Sequence, residues 1–314
     1  MADFIGGEFI DYLEGTSGRD VIFGDPFTTG SSAIPDGMGG VLEFGAGSLR
    51  FGIGGSDVLR GLAGGDTIVG DAAEIGPSGR GGFDIIKGGD GKDALIGDAE
   101  VQLFGVGGGD IISGGKGADF IFGDAVGAIN GGGVGGDDVL RGGKAADIIV
   151  GDAGGILQDG EGGDDRIYGG NGNDSIWGDA FSFFADPSDD EAIAHAAATE
   201  SAIAGDDFIS GGRGNDEIYG DGAVDGSLLI ETGADTFYFG ERSGLDIIFD
   251  YEPGKDILWL GGYGNIDSFD DLIITDNGTD TTIDLGASNG DAADRNMVTL
   301  IAVTEVSAAD FQFA

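Results

Sequence analysis

A nine-residue spacing between aspartates constrains this chain more than any other feature. Asp11 and Asp20, Asp57 and Asp66, Asp84 and Asp93, Asp110 and Asp119, Asp138 and Asp147, Asp165 and Asp174, and Asp207 and Asp216 are each nine apart. The clearest copies read GGNGNDSIW (Gly169 to Trp177), GGRGNDEIY (Gly211 to Tyr219), GGDGKDALI (Gly88 to Ile96) and GGKGADFIF (Gly114 to Phe122). Their common form is G-G-x-G-x-D-x-U-x, where U is large and apolar. Glycine lets the backbone take positive φ and turn tightly with carbonyl oxygens pointing inward, and the aspartate adds a carboxylate. The last three residues form a short strand whose U side chain faces a core. Such units bury their apolar side chains only by stacking on one another, so the expected fold is a solenoid.

Oxygen atoms dominate what these loops offer, and composition narrows the partner. There are 58 acidic against 14 basic side chains, a formal net charge of −44. A body so charged repels itself, nucleic acid and anionic membrane surfaces, and bound cations are the natural remedy. Disorder is the other outcome of high charge and 69 glycines, but 40% of residues are hydrophobic and 20 are Phe, too apolar for a solvated tail. With no cysteine and a single histidine, His195, thiolate, zinc and haem sites are excluded. Oxygen ligands on a flexible, carbonyl-rich loop suit Ca²⁺ better than Mg²⁺, which demands stricter octahedral geometry and gives up water reluctantly.

The nonapeptide resembles the RTX (repeats-in-toxin) hemolysin-type calcium-binding repeat along nearly the whole chain. That resemblance implies an all-β, calcium-binding parallel β-solenoid, a β-roll with three strands per coil as the alternative, closed by a β-rich C-terminal cap. In the family a calcium ion lies between loops of successive coils and takes carbonyl oxygens and the aspartate carboxylate. The implied metal ligands are therefore Asp11, Asp20, Asp57, Asp66, Asp84, Asp93, Asp110, Asp119, Asp138, Asp147, Asp165, Asp174, Asp207 and Asp216. The pattern departs at Asp11 and Asp20, which have fewer glycines around them, and at KAAD before Asp147, where Ala145 replaces a turn glycine.

A longer period overlies the nonads. Asp57, Asp84, Asp110, Asp138 and Asp165 follow one another at 27, 26, 28 and 27 residues, about three nonads. The third part of each unit opens with GDA, from Gly70, Gly97, Gly123, Gly151 and Gly178. Two geometries fit. In the family's two-sided roll a coil takes about 18 residues, and Asp66 stacks on Asp84, Asp93 on Asp110, Asp119 on Asp138 and Asp147 on Asp165. In a three-sided coil of about 27 residues, Asp57, Asp84, Asp110, Asp138 and Asp165 form one column and the GDA segments another. The two-sided roll is the first expectation, because it uses the turn-plus-strand length of a nonad. The GDA aspartates, Asp71, Asp98, Asp124, Asp152, Asp179 and Asp221, are expected to bond nearby backbone in turns, with a ligand role as the alternative.

The repeats divide the chain into a solenoid over 1–232 and a C-terminal capping and secretion-signal region over 233–314. Insertions near 26–51 and 180–205 interrupt the rhythm, and the second, with Pro187-Ser188-Asp189-Asp190-Glu191 before an Ala-rich stretch, reads as a capped short helix. From Gly233 onward the nonads give way to strand-like runs, as expected of a cap over an open solenoid end. The final Asp310-Phe311-Gln312-Phe313-Ala314 resembles the C-terminus of type I secreted relatives. This implies an uncleaved export signal, the type I secretion machinery as a partner, and a secreted, extracellular or cell-surface location in a Gram-negative bacterium. The N-terminus lacks the charged and apolar regions of a signal peptide, and no apolar run approaches the roughly 18 residues of a membrane span.

No catalytic constellation emerges. Gly286-Ala287-Ser288-Asn289-Gly290 matches G-x-S-x-G, but His195 lies far upstream, and H-E-x-x-H and phosphate-loop motifs are absent. Phe122, Tyr168, Trp177 and Tyr219, at or next to the U position, are expected to fill the core. The repeats begin almost at the first residue, so no separate catalytic domain is expected ahead of them. The sequence thus points to a non-enzymatic calcium-binding scaffold of surface-layer, filament, matrix or adhesin type, self-associating or docking on a cell surface. A secreted enzyme or toxin component with activity in the insertions or cap is the alternative.

Overall fold

A computed structural model describes residues 3–5, 12–24, 48–49, 54–155, 157–180, 201–222, 229–290 and 296–314. The chain winds as a parallel solenoid, and one coil shows the plan. After Asp84, the strand Ile85–Asp90 runs to a turn ending at Asp93, and Ala94–Ile96 returns. Gly97-Asp98 then leads into a third strand, Ala99–Leu103, before a glycine-rich segment reaches Asp110 and the next coil.

Each strand pairs in parallel with its counterpart one coil away. Ile85–Asp90 pairs with Val58–Ala63 and Ile111–Lys116, Ala94–Ile96 with Thr67–Val69 and Phe120–Phe122, and Ala99–Leu103 with Ala72–Ile75 and Ala128–Asn130. The result is a ten-stranded sheet, a twelve-stranded sheet and a shorter five-stranded sheet. A coil therefore takes 26–28 residues, as the interval between stacked aspartates shows. The 18-residue stacking of the two-sided roll does not occur: Asp66 stacks on Asp93, not Asp84, and Asp93 on Asp119, not Asp110. The reason is that the GDA segment forms a strand of its own, so the chain travels along a third side before it returns.

The U residues build the core. Leu59, Ile86, Ile112, Leu140, Ile167 and Ile209 from the first strands face Ile68, Leu95, Ile121, Ile149, Ile176 and Ile218 from the second, all fully buried. A separate cluster, Ile75, Ala99, Leu103, Ala125, Ile129 and Ala153, fills the third side. Thus two sides enclose the main core and the third is an attached lobe with its own smaller one.

The aromatic expectation holds in part. Trp177 is buried, but it stacks on Tyr219 at 5.5 Å, and Tyr219 stacks on Phe249 at 4.6 Å. Phe122 packs with Val69 and Ile96 outside the main core. Tyr168 lies on the outer face beneath the Arg141 guanidinium. These residues follow or flank U by one position, and alternation along a strand turns such neighbours to the opposite face.

The C-terminal region closes the stack. Thr236–Phe239, Ile257–Leu260 and finally Phe311–Phe313 extend the first sheet in parallel. An antiparallel pair, Ile273–Asp276 with Thr281–Asp284, pairs with Met297–Leu300 and ends the second. The change to antiparallel pairing alters the edge presented at this end. Ser288 belongs to this cap: its hydroxyl donates to the Asp284 carbonyl and accepts the Ile273 N–H, a structural role for the G-x-S-x-G serine. The proposed helix after Pro187, and His195, lie outside the described residues. No described helix is long and apolar enough to cross a membrane.

Candidate metal centre

The repeated aspartates stand in two files that run the length of the solenoid. In one, at the simple turn between first and second strands, each backbone N–H donates to Oδ1 of the aspartate one coil on: Asp66 to Asp93 at 2.8 Å, Asp93 to Asp119 at 2.9 Å, Asp119 to Asp147 at 2.9 Å and Asp147 to Asp174 at 2.9 Å. In the other, where the third side rejoins the first, Asp57 donates to Asp84 at 2.6 Å, Asp84 to Asp110 at 2.7 Å, Asp110 to Asp138 at 2.6 Å and Asp138 to Asp165 at 2.7 Å. Register survives the long insertion, since Asp165 and Asp174 donate to Asp207 and Asp216 across 42 residues. We call these the turn file and the neck file.

The second oxygen of these carboxylates is left over. Oδ2 of Asp93, Asp110, Asp119, Asp138, Asp147, Asp165, Asp174, Asp207 and Asp216 is buried with no hydrogen-bond partner. A buried carboxylate oxygen in that condition is costly unless a cation or proton meets it. Each also faces a space that only glycine leaves open. A methyl carbon placed on Gly88 would lie 2.4 Å from Asp93 Oδ2 and 2.8 Å from the Gly114 carbonyl oxygen. On Gly97 it would lie 2.1 Å from Asp110 Oδ2 and 1.8 Å from the Gly123 carbonyl oxygen. Carboxylate and carbonyl oxygens therefore converge at both files, the donor set that Ca²⁺ takes. No three His, Cys, Asp or Glu side chains form a metal-holding group among the described residues, so backbone carbonyls are integral to such a site.

The two files share one local design despite different spacing. At the turn, Gly88 and Asp93 are five residues apart; at the neck, Gly97 and Asp110 are thirteen apart. The glycine, the aspartate Oδ2 and the next coil's glycine carbonyl meet in the same way in both. The third lobe is thus an excursion spliced into a glycine-aspartate loop whose ends stay together.

Electrostatics separates them. Burial, reinforced by Asp174 and Asp119, pushes Asp147 up to about 7, and burial likewise raises Asp93 and Asp174 to about 6. In the neck file, burial holds Asp110, Asp138 and Asp165 well above the carboxylate range, with Asp98 and Asp138 adding repulsion at Asp110 and Asp152 at Asp165.

The departures from the repeat behave unequally. Asp20 joins the turn file by donating to Asp66 at 2.7 Å, but its own carboxylate accepts the backbone N–H and hydroxyl of Thr16. Asp147 keeps register with Ala145 at a positive φ of 82°, where the equivalent Gly91, Gly117 and Gly214 also take positive φ, at 159°, 133° and 156°. Asp11 lies outside the described residues.

Three further aspartates extend the files. Asp207 donates to Asp235 at 3.0 Å, Asp235 to Asp256 at 3.0 Å, and Asp216 to Asp246 at 3.1 Å. Sequence reasoning passed over them because the double glycine is gone. Each still sits in G-x-D-x-U, as Gly233-Ala234-Asp235-Thr236-Phe237, Gly244-Leu245-Asp246-Ile247-Ile248 and Gly254-Lys255-Asp256-Ile257-Leu258, a signal that would have found them.

The GDA aspartates do not bond nearby turn backbone as expected. Asp98 accepts the N–H of Gly108 at 2.7 Å, and Asp179 that of Gly205 at 2.7 Å, ten and 26 residues on. They clasp the two strands of the neck where the third lobe leaves and returns.

No curated protein matches the chain. The family described as RTX calcium-binding nonapeptide repeat (4 copies) matches residues 5–26, 51–73, 78–100, 103–125, 132–155, 159–182 and 202–225, just over half of the chain. Those segments carry the stacked aspartates and glycine-lined oxygen clusters described above, and on that basis the chain belongs to the RTX calcium-binding nonapeptide-repeat family, with multiple Ca²⁺ sites.

Proposed function

We propose that this chain folds on binding Ca²⁺ along its turn and neck files and then serves as an extracellular structural scaffold. The observation that carries the reading is the line of buried Oδ2 atoms without hydrogen-bond partners, which from Asp93 to Asp207 converge with a glycine carbonyl of the next coil. The ligands are the sequence-identified aspartates, joined by Asp235, Asp246 and Asp256, with loop carbonyls completing each shell. Ca²⁺ supplies charge neutralisation and cross-links successive coils.

Without the ion, carboxylates stacked coil on coil repel one another in a chain of net charge −44. Binding free energy then becomes folding free energy. A cytosol poor in calcium keeps the chain extended enough to thread through a type I secretion channel, and the calcium outside the cell folds it. The C-terminal region over 233–314 serves as both cap and export signal. The exported body, long sheets with the same face repeated coil after coil, suits surface-layer, filament, matrix or adhesin roles through self-association or a cell-surface partner.

Circular dichroism at pH 8 tests the folding step. The spectrum is expected to pass from disordered to β-rich as Ca²⁺ is added and to revert with chelator. A chelated chain that stays β-rich contradicts it. Electron microscopy of the calcium-loaded protein tests the scaffold: ordered polymers are expected, and persistent monomers at high concentration count against it.

A further inference from the structure

The GDA aspartates are absorbed by neither file. Asp98, Asp124, Asp152 and Asp179 are fully buried in the neck, one above another. Each clasps a glycine N–H across the neck, Asp98 that of Gly108, Asp124 that of Gly136 and Asp152 that of Gly163. The Gly136 and Gly163 N–H groups are each shared between both oxygens of Asp124 and Asp152, so one donor serves two buried oxygens. At the two ends of this run, Asp98 Oδ1, which faces Gly81, and Asp179 Oδ2 have no hydrogen-bond partner, although both residues are wholly shielded from water.

Successive carboxylates also converge. A methyl carbon on Gly107 would lie 1.8 Å from Asp124 Oδ1 and 2.8 Å from Asp98 Oδ2. On Gly135 it would lie 1.8 Å from Asp152 Oδ1 and 2.8 Å from Asp124 Oδ2, and on Gly162 it would lie 1.8 Å from Asp179 Oδ1 and 2.7 Å from Asp152 Oδ2. The same arrangement recurs three times: two carboxylates from adjacent coils border one glycine-vacated space. Side chains of like charge brought together out of water, with an unmatched oxygen at each end of the run, call for cations along it.

We propose that the GDA aspartates hold a third file of divalent oxygen-seeking cations, Ca²⁺ above all, between the carboxylates of adjacent coils in the neck. The pairs are Asp98 with Asp124, Asp124 with Asp152, and Asp152 with Asp179. These ions pin the exit and return of the third lobe, as the turn and neck files pin the main roll. The proposal rests on the calcium-folding reading but is separable from it.

Calcium-loaded protein measured by native mass spectrometry gives the ion count directly. Asp124→Asn keeps an acceptor for the Gly136 N–H and removes a charge shared by two of the pairs. It is expected to fold with calcium and bind one or two fewer ions. An unchanged count means the neck carboxylates share protons instead, and overturns the third file. Should the variant not fold, anomalous diffraction from crystals of the unaltered protein grown with Tb³⁺ in place of Ca²⁺ decides. Peaks between the GDA carboxylates support the proposal. Peaks along the turn and neck files with none between those carboxylates overturn it and leave the calcium-folding reading standing, whereas no peaks anywhere overturn both.

Discussion

At the turn edge, Gly88 and Asp93 close a loop in five residues; at the neck edge, Gly97 and Asp110 close the same oxygen cluster after a detour of thirteen that includes a strand. The cluster is indifferent to what lies between its ends, because its parts are a glycine, a carboxylate and a carbonyl from the next coil. The detour changes the surroundings. Turn-file carboxylates are buried at the edge of the main core alone, whereas neck-file carboxylates have the GDA carboxylates beside them and are raised further by burial. A loop can therefore acquire a lobe without losing its metal geometry, at the cost of concentrating charge where water does not reach.

The largest expected effect concerns pH in the absence of metal. Asp93 and Asp174 at about 6, Asp147 at about 7 and Asp216 at about 8 are raised in the fold above the ordinary value of 3.8. A raised folded pKa means the fold holds its proton more tightly than the unfolded chain. The stability this contributes is complete below about pH 4 and is lost as pH rises through about 6 to 8. Chelated protein should therefore keep β structure near pH 5 and lose it by pH 8. A chelated circular dichroism signal that is flat over this range would show that turn-file ionisation does not limit the metal-free fold.

Packing comes next. Ile121→Ala, in the main core, should cost about 3–4 kcal/mol, and Leu103→Ala, in the alanine-rich cluster of the lobe, about 2 kcal/mol, measured by denaturation in saturating calcium. Equal costs would make the lobe an integral third wall instead of an attachment. At the metal files, Asp119→Ala should raise the calcium midpoint of folding roughly tenfold, about 1.4 kcal/mol, and Asp138→Ala by more, since the neck oxygen lies deeper. A larger effect at the turn would reverse the ranking of the two edges. The smallest change is Ala145→Gly, which relieves a positive φ of 82° and should stabilise the turn edge by about 1 kcal/mol in calcium, seen as a higher melting temperature.

Much of this was legible in the residues themselves. The nine-residue aspartate spacing and the alternating U positions specified parallel coils, a core of stacked Ile and Leu, and oxygen-rich turns. They did so because glycine and aspartate requirements are local: a positive φ or an inward carboxylate is needed whatever the coil does next. The same locality made Asp235, Asp246 and Asp256 recoverable from G-x-D-x-U alone.

What pairs with what was not local. Two-sided and three-sided coils place the same nonads in the same short turns, and they differ only in whether the GDA segment adds a strand before the chain returns. That depends on Ala99, Leu103, Ala125 and Ile129 finding one another across coils, a contact no single repeat contains. The partners of the GDA aspartates followed from it, since Asp98 reaches Gly108 only once the third lobe has closed. The sequence by itself determined a calcium solenoid, through residue types whose geometry is set within a few bonds. The tertiary structure alone decided its cross-section, because side-to-side packing of distant segments chooses among coils that the local rules leave equal.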